Sequence, residues 1–307
     1  MKKIDVVYVL GNGSNWSNNE IRFSIRSLYK HLEGFGKIFI VGEKPYFIEG
    51  CIHIPHPDEF SPENADGNII RKVLRSCQDS RVSEKFLFIN DDHIFLRKTN
   101  AGAIPPFHKG NMKDYPQHYF GLNPWRKRLY LTKLALENQG LPTLHYDCHT
   151  PIVFEKEKFI QAMSQFDYAS GIGLTMKSLY GNIHYPQAPL LANEKKTVFT
   201  FHKLAQLDAM LQHPFLLAFN DQGLNDSLKV FLYQRFREPS PLETIPLQDR
   251  IVDIYIAARE SPPYQFALDT YLRHFKNANI KGILTRDRNS RFENKLKYLL
   301  EQKLIDL

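Results

Sequence analysis

The chain has 307 residues, 43% hydrophobic and 13% aromatic, which is enough for a packed core and excludes disorder, collagen-like repeats and a coiled coil as the main architecture. At about 150 residues per domain, the length predicts two domains or one large α/β domain with an appendage. Lys and Arg number 40 against 33 for Asp and Glu, a net charge of +7, which favours anionic partners without choosing among phosphate, nucleotide, nucleic acid and anionic lipid.

Met1-Lys2-Lys3 has the charge of a signal peptide, but Asp5 interrupts the apolar stretch Ile4 to Leu10, which runs straight into Gly-Asn-Gly-Ser. That stretch reads as the first buried strand of a cytoplasmic protein. Ser17 followed by Glu20 is a capping-box pattern. It opens a helix with Ile21, Ile25, Leu28 and Leu32 on one face, ended by Gly34 and Gly36. Lys37 to Val41 is the next strand, and a short one is expected at Cys51 to Ile54. A helix follows with Ile70, Val73, Leu74 and Cys77 at i, i+3, i+4, i+7, then the strand Lys85 to Ile89. Strands alternating with amphipathic helices predict an α/β fold, a mostly parallel sheet flanked by helices. Beyond residue 97 the periodicity weakens. Helical patterns return at about 127–138, 156–166, 202–212 and 222–236, and the last 60 residues read as a basic helical extension. Cys51, Cys77 and Cys148 have no metal-type spacing, so neither a disulfide framework nor a zinc site is expected. No apolar run approaches the ~20 residues of a membrane span.

Ligands of such sheets bind beyond the carboxyl ends of the strands. Two such ends carry chemistry here. After the strand Lys85 to Ile89 come Asn90-Asp91-Asp92-His93. Adjacent carboxylates at the end of a buried strand repel each other unless a cation neutralises them. A divalent ion would take their oxygens and share them with a diphosphate; the alternative is a solvated turn. After the first strand, Gly11-Asn12-Gly13-Ser14 lets backbone approach a ligand closely. Its spacing is neither G-x-G-x-x-G nor a P-loop, and an ordinary strand-to-helix turn is the competing reading. Lys72 and the first-helix residues Arg22 and Arg26 are candidate phosphate partners, although such cations are more often on the surface.

Asp147 and His149 alternate in an extended segment and could supply a general base and a metal ligand, with a satisfied polar loop as the alternative. A histidine ligand tilts the ion toward manganese rather than magnesium. Asn220-Asp221, and Glu243 after the Ser240-Pro241 turn, are weaker signals. The cluster Trp125, Arg126, Lys127 and Arg128, and the later Arg286, Arg288 and Arg291, are candidate nucleic-acid contacts; most such runs are solvated helix faces.

Asp5 to Ser14, then Asn19 to Leu28, then Phe88-Ile89-Asn90-Asp91-Asp92 resemble GT-A nucleotide-sugar transferases. They are most similar to phage-type glycosyltransferases of modified DNA bases, relatives of the base J glucosyltransferases. The resemblance continues through His149-Thr150-Pro151, Lys177 to Asn182 and Asn220-Asp221, and covers roughly residues 4–245. The Stealth family of sugar-phosphate transferases shares much of the pattern, but its acidic residue after Gly-Ser is Asn15 here, which favours plain glycosyl transfer.

The resemblance implies a GT-A-like catalytic domain over 1–245, with a nucleotide-binding half at 1–97 and an acceptor half at 98–245, and an extension over 246–307. It implies a divalent metal (Mn²⁺ or Mg²⁺) and a nucleotide sugar, with UDP-sugar expected, at Asn90 to Asp92 and Gly11 to Ser14. With the candidates above, the expected metal ligands are Asp91, Asp92 and His149, and the expected donor contacts Leu10 to Ser14, Arg22, Lys72, Asn90 and Asp91. Asp147 is then the expected base, and a hydroxymethylated pyrimidine in DNA the expected acceptor. Three other readings stay open: a Stealth-type sugar-1-phosphate transferase, a glycosyltransferase acting on saccharide or lipid acceptors, and a non-catalytic nucleic-acid-binding module.

Overall fold

A computed structural model of the chain describes residues 3–16 and 18–244. Ser17 of the expected capping box, Arg286, Arg288 and Arg291, and the extension expected over 246–307 lie outside the described residues.

The chain opens with β1 (Ile4–Leu10) and α1 (Asn19–His31), followed by β2 (Leu32–Glu33), β3 (Phe35–Gly42) and β4 (Ile52–Ile54). Leu32, expected on the apolar face of the helix, instead begins β2, and Gly34 turns the chain at φ 76°. A left-handed turn of that kind suits glycine because it has no Cβ to clash. Next come α2 (Ala65–Gln78), β5 (Lys85–Ile89), β6 (Ile94–Phe95) and β7 (Thr99–Asn100). The second half supplies α3 (Gln117–Phe120), α4 (Pro124–Asn138), β8 (Ile152–Glu155), α5 (Lys156–Ser164) and α6 (Met176–His184). The described part closes with β9 (Lys195–Val198), α7 (Leu204–Met210), β10 (Leu216–Phe219) and α8 (Asp226–Arg235).

The main sheet has five strands in the order β4-β3-β1-β5-β8. β4, β3, β1 and β5 are parallel; β8 runs antiparallel to β5, with Phe86 opposite Phe154. The fold is thus mixed α/β with a mainly parallel central sheet. Residues 98–245 share in that sheet through β8, so its edge comes from beyond the boundary drawn at residue 97.

Side chains alternate across the strands. Val7, Phe39, Phe86 and Phe88 pack on one face with Ile70, Val73, Phe159 and Leu179 of the helices. Val6, Tyr8, Ile40, Leu87 and Ile89 pack on the other against Ile21, Ile25 and Leu28 of α1. Burial on both faces explains why β1 and β5 read as continuous apolar runs. A smaller sheet, ordered β6-β10-β9, forms a third core with α7 and α8 through Leu217, Phe219, Leu228 and Phe231. No helix among the described residues is long and apolar enough to cross a membrane.

Candidate functional site

The strand order reverses between β1 and β5: β3 and β4 lie on one side of β1, β5 on the other. Loops leaving the carboxyl ends of such a pair diverge and leave a crevice. A cleft of about 840 Å³ opens there, lined by Gly13 and Ser14 after β1, by Asn90, Asp91 and Asp92 after β5, and by His149.

The first loop is braced from below. Lys72, buried on α2, donates from Nζ to the Leu10 carbonyl at 2.8 Å and to Asp58 Oδ1 at 2.6 Å. A Cβ on Gly42 would strike that same carbonyl, and Gly42 sits at φ 105°, so only glycine ends β3 there without strain. Lys72 therefore fixes the loop instead of reaching into the cleft. Ser14 Oγ donates to Glu20 Oε2 at 2.8 Å and accepts the N–H groups of Trp16 and Asn18. Its hydroxyl is spent within the loop. Glu20 thus holds Ser14. Asn15 Nδ2 donates to Asp221 Oδ2 at 2.9 Å, tying the loop to the turn after β10. Gly11 and Asn12 are exposed and lie outside the cleft lining.

At the end of β5, Asp92, His93 and His149 bring one potential ligand atom each within 4.8 Å of one another. His149 Nε2 lies 2.6 Å from Asp92 Oδ2, and Asn90 Nδ2 lies 3.4 Å from His149 Nδ1. The other acceptors of this turn, Asp92 Oδ1 and Asn90 Oδ1, are buried without a hydrogen-bond partner. Orphaned buried oxygens are costly and call for a cation or donor, so the residues fit a divalent ion. The oxygen-and-imidazole donor set suits manganese better than magnesium.

His93 fits that role less well. Its Nδ1 accepts the Asn90 N–H at 3.2 Å, which leaves the proton of the neutral ring on Nε2 and no lone pair there. Its ring meets that of His149 at 84° with centroids 4.8 Å apart, so we assign it to packing His149 into place. Burial keeps it neutral by lowering its pKa well below the ordinary histidine range. Asp91, expected as a ligand, stands outside this group. It faces Glu20, and burial, then Asp92, then Glu20 raise its pKa well above the usual carboxylate range. Glu20 is raised for the same leading reason, burial.

Asp147 lines the cleft but is occupied. Its Oδ1 accepts the Lys177 N–H at 3.2 Å; its Oδ2 accepts the Ser178 N–H at 2.9 Å and the Ser178 hydroxyl at 2.5 Å. It caps the first turn of α6, where a carboxylate also meets the positive end of the helix dipole. Both of its oxygens are thus engaged by the start of α6.

Arg22 and Arg26 also lie elsewhere. Arg22, 1% exposed, donates from Nη1 to Glu243 Oε2 at 2.7 Å and stacks over Phe47 at 3.7 Å. Arg26 meets both oxygens of Glu243, at 2.8 and 3.1 Å. These arginines lock the segment around Glu243 onto α1; neither lines the cleft. Of the aromatic-basic cluster, Trp125 and Arg126 line the cleft, with Arg126 over the Tyr119 ring at 4.0 Å. Arg128 lines it too but is bound to Asp66 Oδ2 at 2.5 Å and the Glu63 carbonyl. Lys127 points to a separate shallow hollow beside Tyr130.

The sequence reading did not single out Lys195 or assign a role to Lys177. Both line the cleft and hold the backbone on either side of His149. Lys177 lies in a segment quoted for the resemblance but not read as a helix; Lys195 begins a short strand with no periodic signal. Burial lowers the pKa of both, Lys195 to about 7 with Lys109 adding repulsion.

No family model and no curated protein matches the chain. Solved structures with some likeness include the WbbM bifunctional glycosyltransferase in its apo form, at 13% identity and a TM-score of 0.40 over 71% of this chain. The chain spans 45% of that protein's length. Mouse xyloside xylosyltransferase 1 aligns at 12% identity and TM-score 0.38, over 73% of this chain and 99% of that one. A glycosyltransferase involved in glycosylating the major capsid of PBCV-1 aligns at 6% identity and TM-score 0.38, over 77% of this chain and all of that one. Similarity of this size assigns no function.

Proposed function

We propose that the chain is a nucleotide-sugar-dependent glycosyltransferase whose donor, a UDP-sugar in the first instance, binds in the cleft between β1 and β5. One observation carries the reading: Asp92 and Asn90 present partnerless buried oxygens beside His149 at the switch point of a mainly parallel sheet. Such a site suits a divalent cation and the diphosphate that would share it. Asp92 and His149 would hold the ion, which when bound supplies positive charge to a departing diphosphate.

In the reaction, an acceptor hydroxyl oxygen forms a bond to the anomeric carbon and gives up its proton to solvent. The bond from that carbon to the diphosphate oxygen breaks, and the electron pair leaves with the diphosphate. The chain's residues act by position. Lys72 and Ser14 hold the first loop against the donor, His93 packs His149, and Asp147 anchors α6. Tyr119, Trp125 and Phe199 line the cleft walls.

For the acceptor, the reading is a hydroxymethylated pyrimidine in DNA, acted on in the cytoplasm. Its support is the resemblance, together with Trp125 and the Arg126–Tyr119 stack at the cleft wall, which suit a base taken out of its helix. A second reading, an uncharged saccharide acceptor, is favoured by Asp147 and Asp221 in the same cleft, which repel a polyanion.

The test is a donor-hydrolysis and transfer screen with Mn²⁺ over a panel of UDP-sugars, with hydroxymethylated DNA and oligosaccharides as acceptors. Release of UDP, with label moving to DNA, supports the reading in full; label moving to saccharide instead supports the second acceptor. Release of UMP identifies sugar-phosphate transfer, and no release from any donor rejects a glycosyltransferase.

A further inference from the structure

Three lysines of the cleft, the exposed Lys109 and the more buried Lys177 and Lys195, have no carboxylate ion-pair partner among the described residues. Lys177, 5% exposed on the first turn of α6, donates from Nζ to the Thr150 carbonyl at 2.6 Å and sits 5.2 Å above the Phe88 ring. Lys195, the first residue of β9, donates from Nζ to the Cys148 carbonyl at 2.6 Å and the His149 carbonyl at 3.1 Å. An ammonium has three donors; Lys177 spends one on the protein and Lys195 two. Both Nζ groups hydrogen-bond only to backbone carbonyls, while Asp147, Asp92 and Asp66 act on Lys177 and Asp92 on Lys195 from farther off; the donors left over suit an anion.

The other buried cations among the described residues are matched to carboxylates. Arg22 and Arg26 share Glu243, Arg128 has Asp66, and Lys72 has Asp58. Lys177, buried, and Lys195, half-buried, lie in the same cleft, close enough to repel each other, and grip three successive carbonyls around His149. Asp92 and His149 lie on the same cleft. A ligand with linked negative groups could meet the ammoniums and a cation at Asp92 together; a single carboxylate is less able to span both.

We propose that Lys177 and Lys195 form an anion site for a diphosphate, taking the place that the sequence suggested for Arg22 and Lys72. That the diphosphate belongs to a nucleotide sugar rests on the function proposed above; the anion site itself does not. The lysines also position His149, whose backbone is left-handed at φ 58°, so the test separates anion binding from that positioning.

The probe is inorganic pyrophosphate, titrated calorimetrically into the full chain at saturating Mn²⁺, with Mn²⁺ affinity measured separately. Lys177→Met and Lys195→Met are each expected to weaken pyrophosphate about tenfold or more, while Lys177→Met keeps Mn²⁺ affinity within about threefold of wild type. The proposal is overturned if pyrophosphate affinity is unchanged in both variants, if Lys177→Met loses Mn²⁺ and pyrophosphate affinity in parallel, or if wild type binds no pyrophosphate. Should a variant fail to fold, amine labelling of wild type decides: pyrophosphate must protect Lys195 and leave Lys85, 58% exposed in its side chain, unaffected. Unchanged Lys195 labelling overturns the site. Lysine-dependent pyrophosphate binding in a protein that cleaves no nucleotide sugar would keep the anion site and reject the proposed function.

Discussion

His149 Nε2 lies 2.6 Å from Asp92 Oδ2, although 57 residues separate the two in the chain. Asp92 arrives on the turn after β5. His149 arrives on the segment leading into the antiparallel strand β8, which pairs with β5 along its length. The register of that pairing thus sets the geometry of the candidate metal site.

His149 takes up its place at φ 58°, a conformation that costs a residue with a Cβ roughly 1–2 kcal/mol. His149→Gly is therefore expected to be more stable than His149→Ala by about 1 kcal/mol, with both losing Mn²⁺ affinity. Equal melting temperatures for the two variants would show that the backbone strain is absent.

Glu243 is the shared acceptor of two buried guanidiniums, 221 and 217 residues away in sequence. Glu243→Gln should destabilise the chain by roughly 3–5 kcal/mol, because it strands buried positive charge. Arg22→Met should leave UDP affinity unchanged at a temperature where it remains folded. A large loss of UDP affinity in that variant would return Arg22 to the binding site.

Asp147→Ala removes the acceptor for three donors at the start of α6. A loss of stability of roughly 1–3 kcal/mol is expected in chemical denaturation. If Asp147 were instead the base, turnover would collapse with the denaturation midpoint unmoved.

His145 is buried beside the Tyr115 hydroxyl, 2.9 Å from its Nδ1, and its Nε2 has no partner. Burial pulls its pKa down from 6.5 to about 4. Between those values the unfolded chain holds the proton and the folded chain does not. The contribution to stability is therefore full above pH 6.5 and is lost as pH falls toward 4, by roughly 3 kcal/mol. His145→Gln should flatten the stability profile across that window; an unchanged slope would assign the acid sensitivity elsewhere.

The sheet was legible because burial on both faces writes itself into sequence. Ile4 to Leu10 and Lys85 to Ile89 match β1 and β5 residue for residue, and their carboxyl ends give the crevice by topology alone. The cations were less legible. Arg22 and Arg26 on an early helix look like phosphate partners until Glu243 folds back onto them, a pairing that local spacing cannot show. Lys195 carries no pattern at all, and its importance comes from where β9 lies beside β10. Asp147 and His149 read as a pair, but only the position of α6 shows that one is a cap while the other faces Asp92.

The central claim is that a divalent ion and a nucleoside diphosphate bind together at Asp92. Titrating UDP into wild type and Asp92→Ala, each with and without Mn²⁺, tests it most directly. The account predicts that wild type binds UDP only with Mn²⁺, and that Asp92→Ala weakens this by about 100-fold while the melting temperature is maintained. UDP binding of equal strength without the metal, or undiminished in Asp92→Ala, would contradict it.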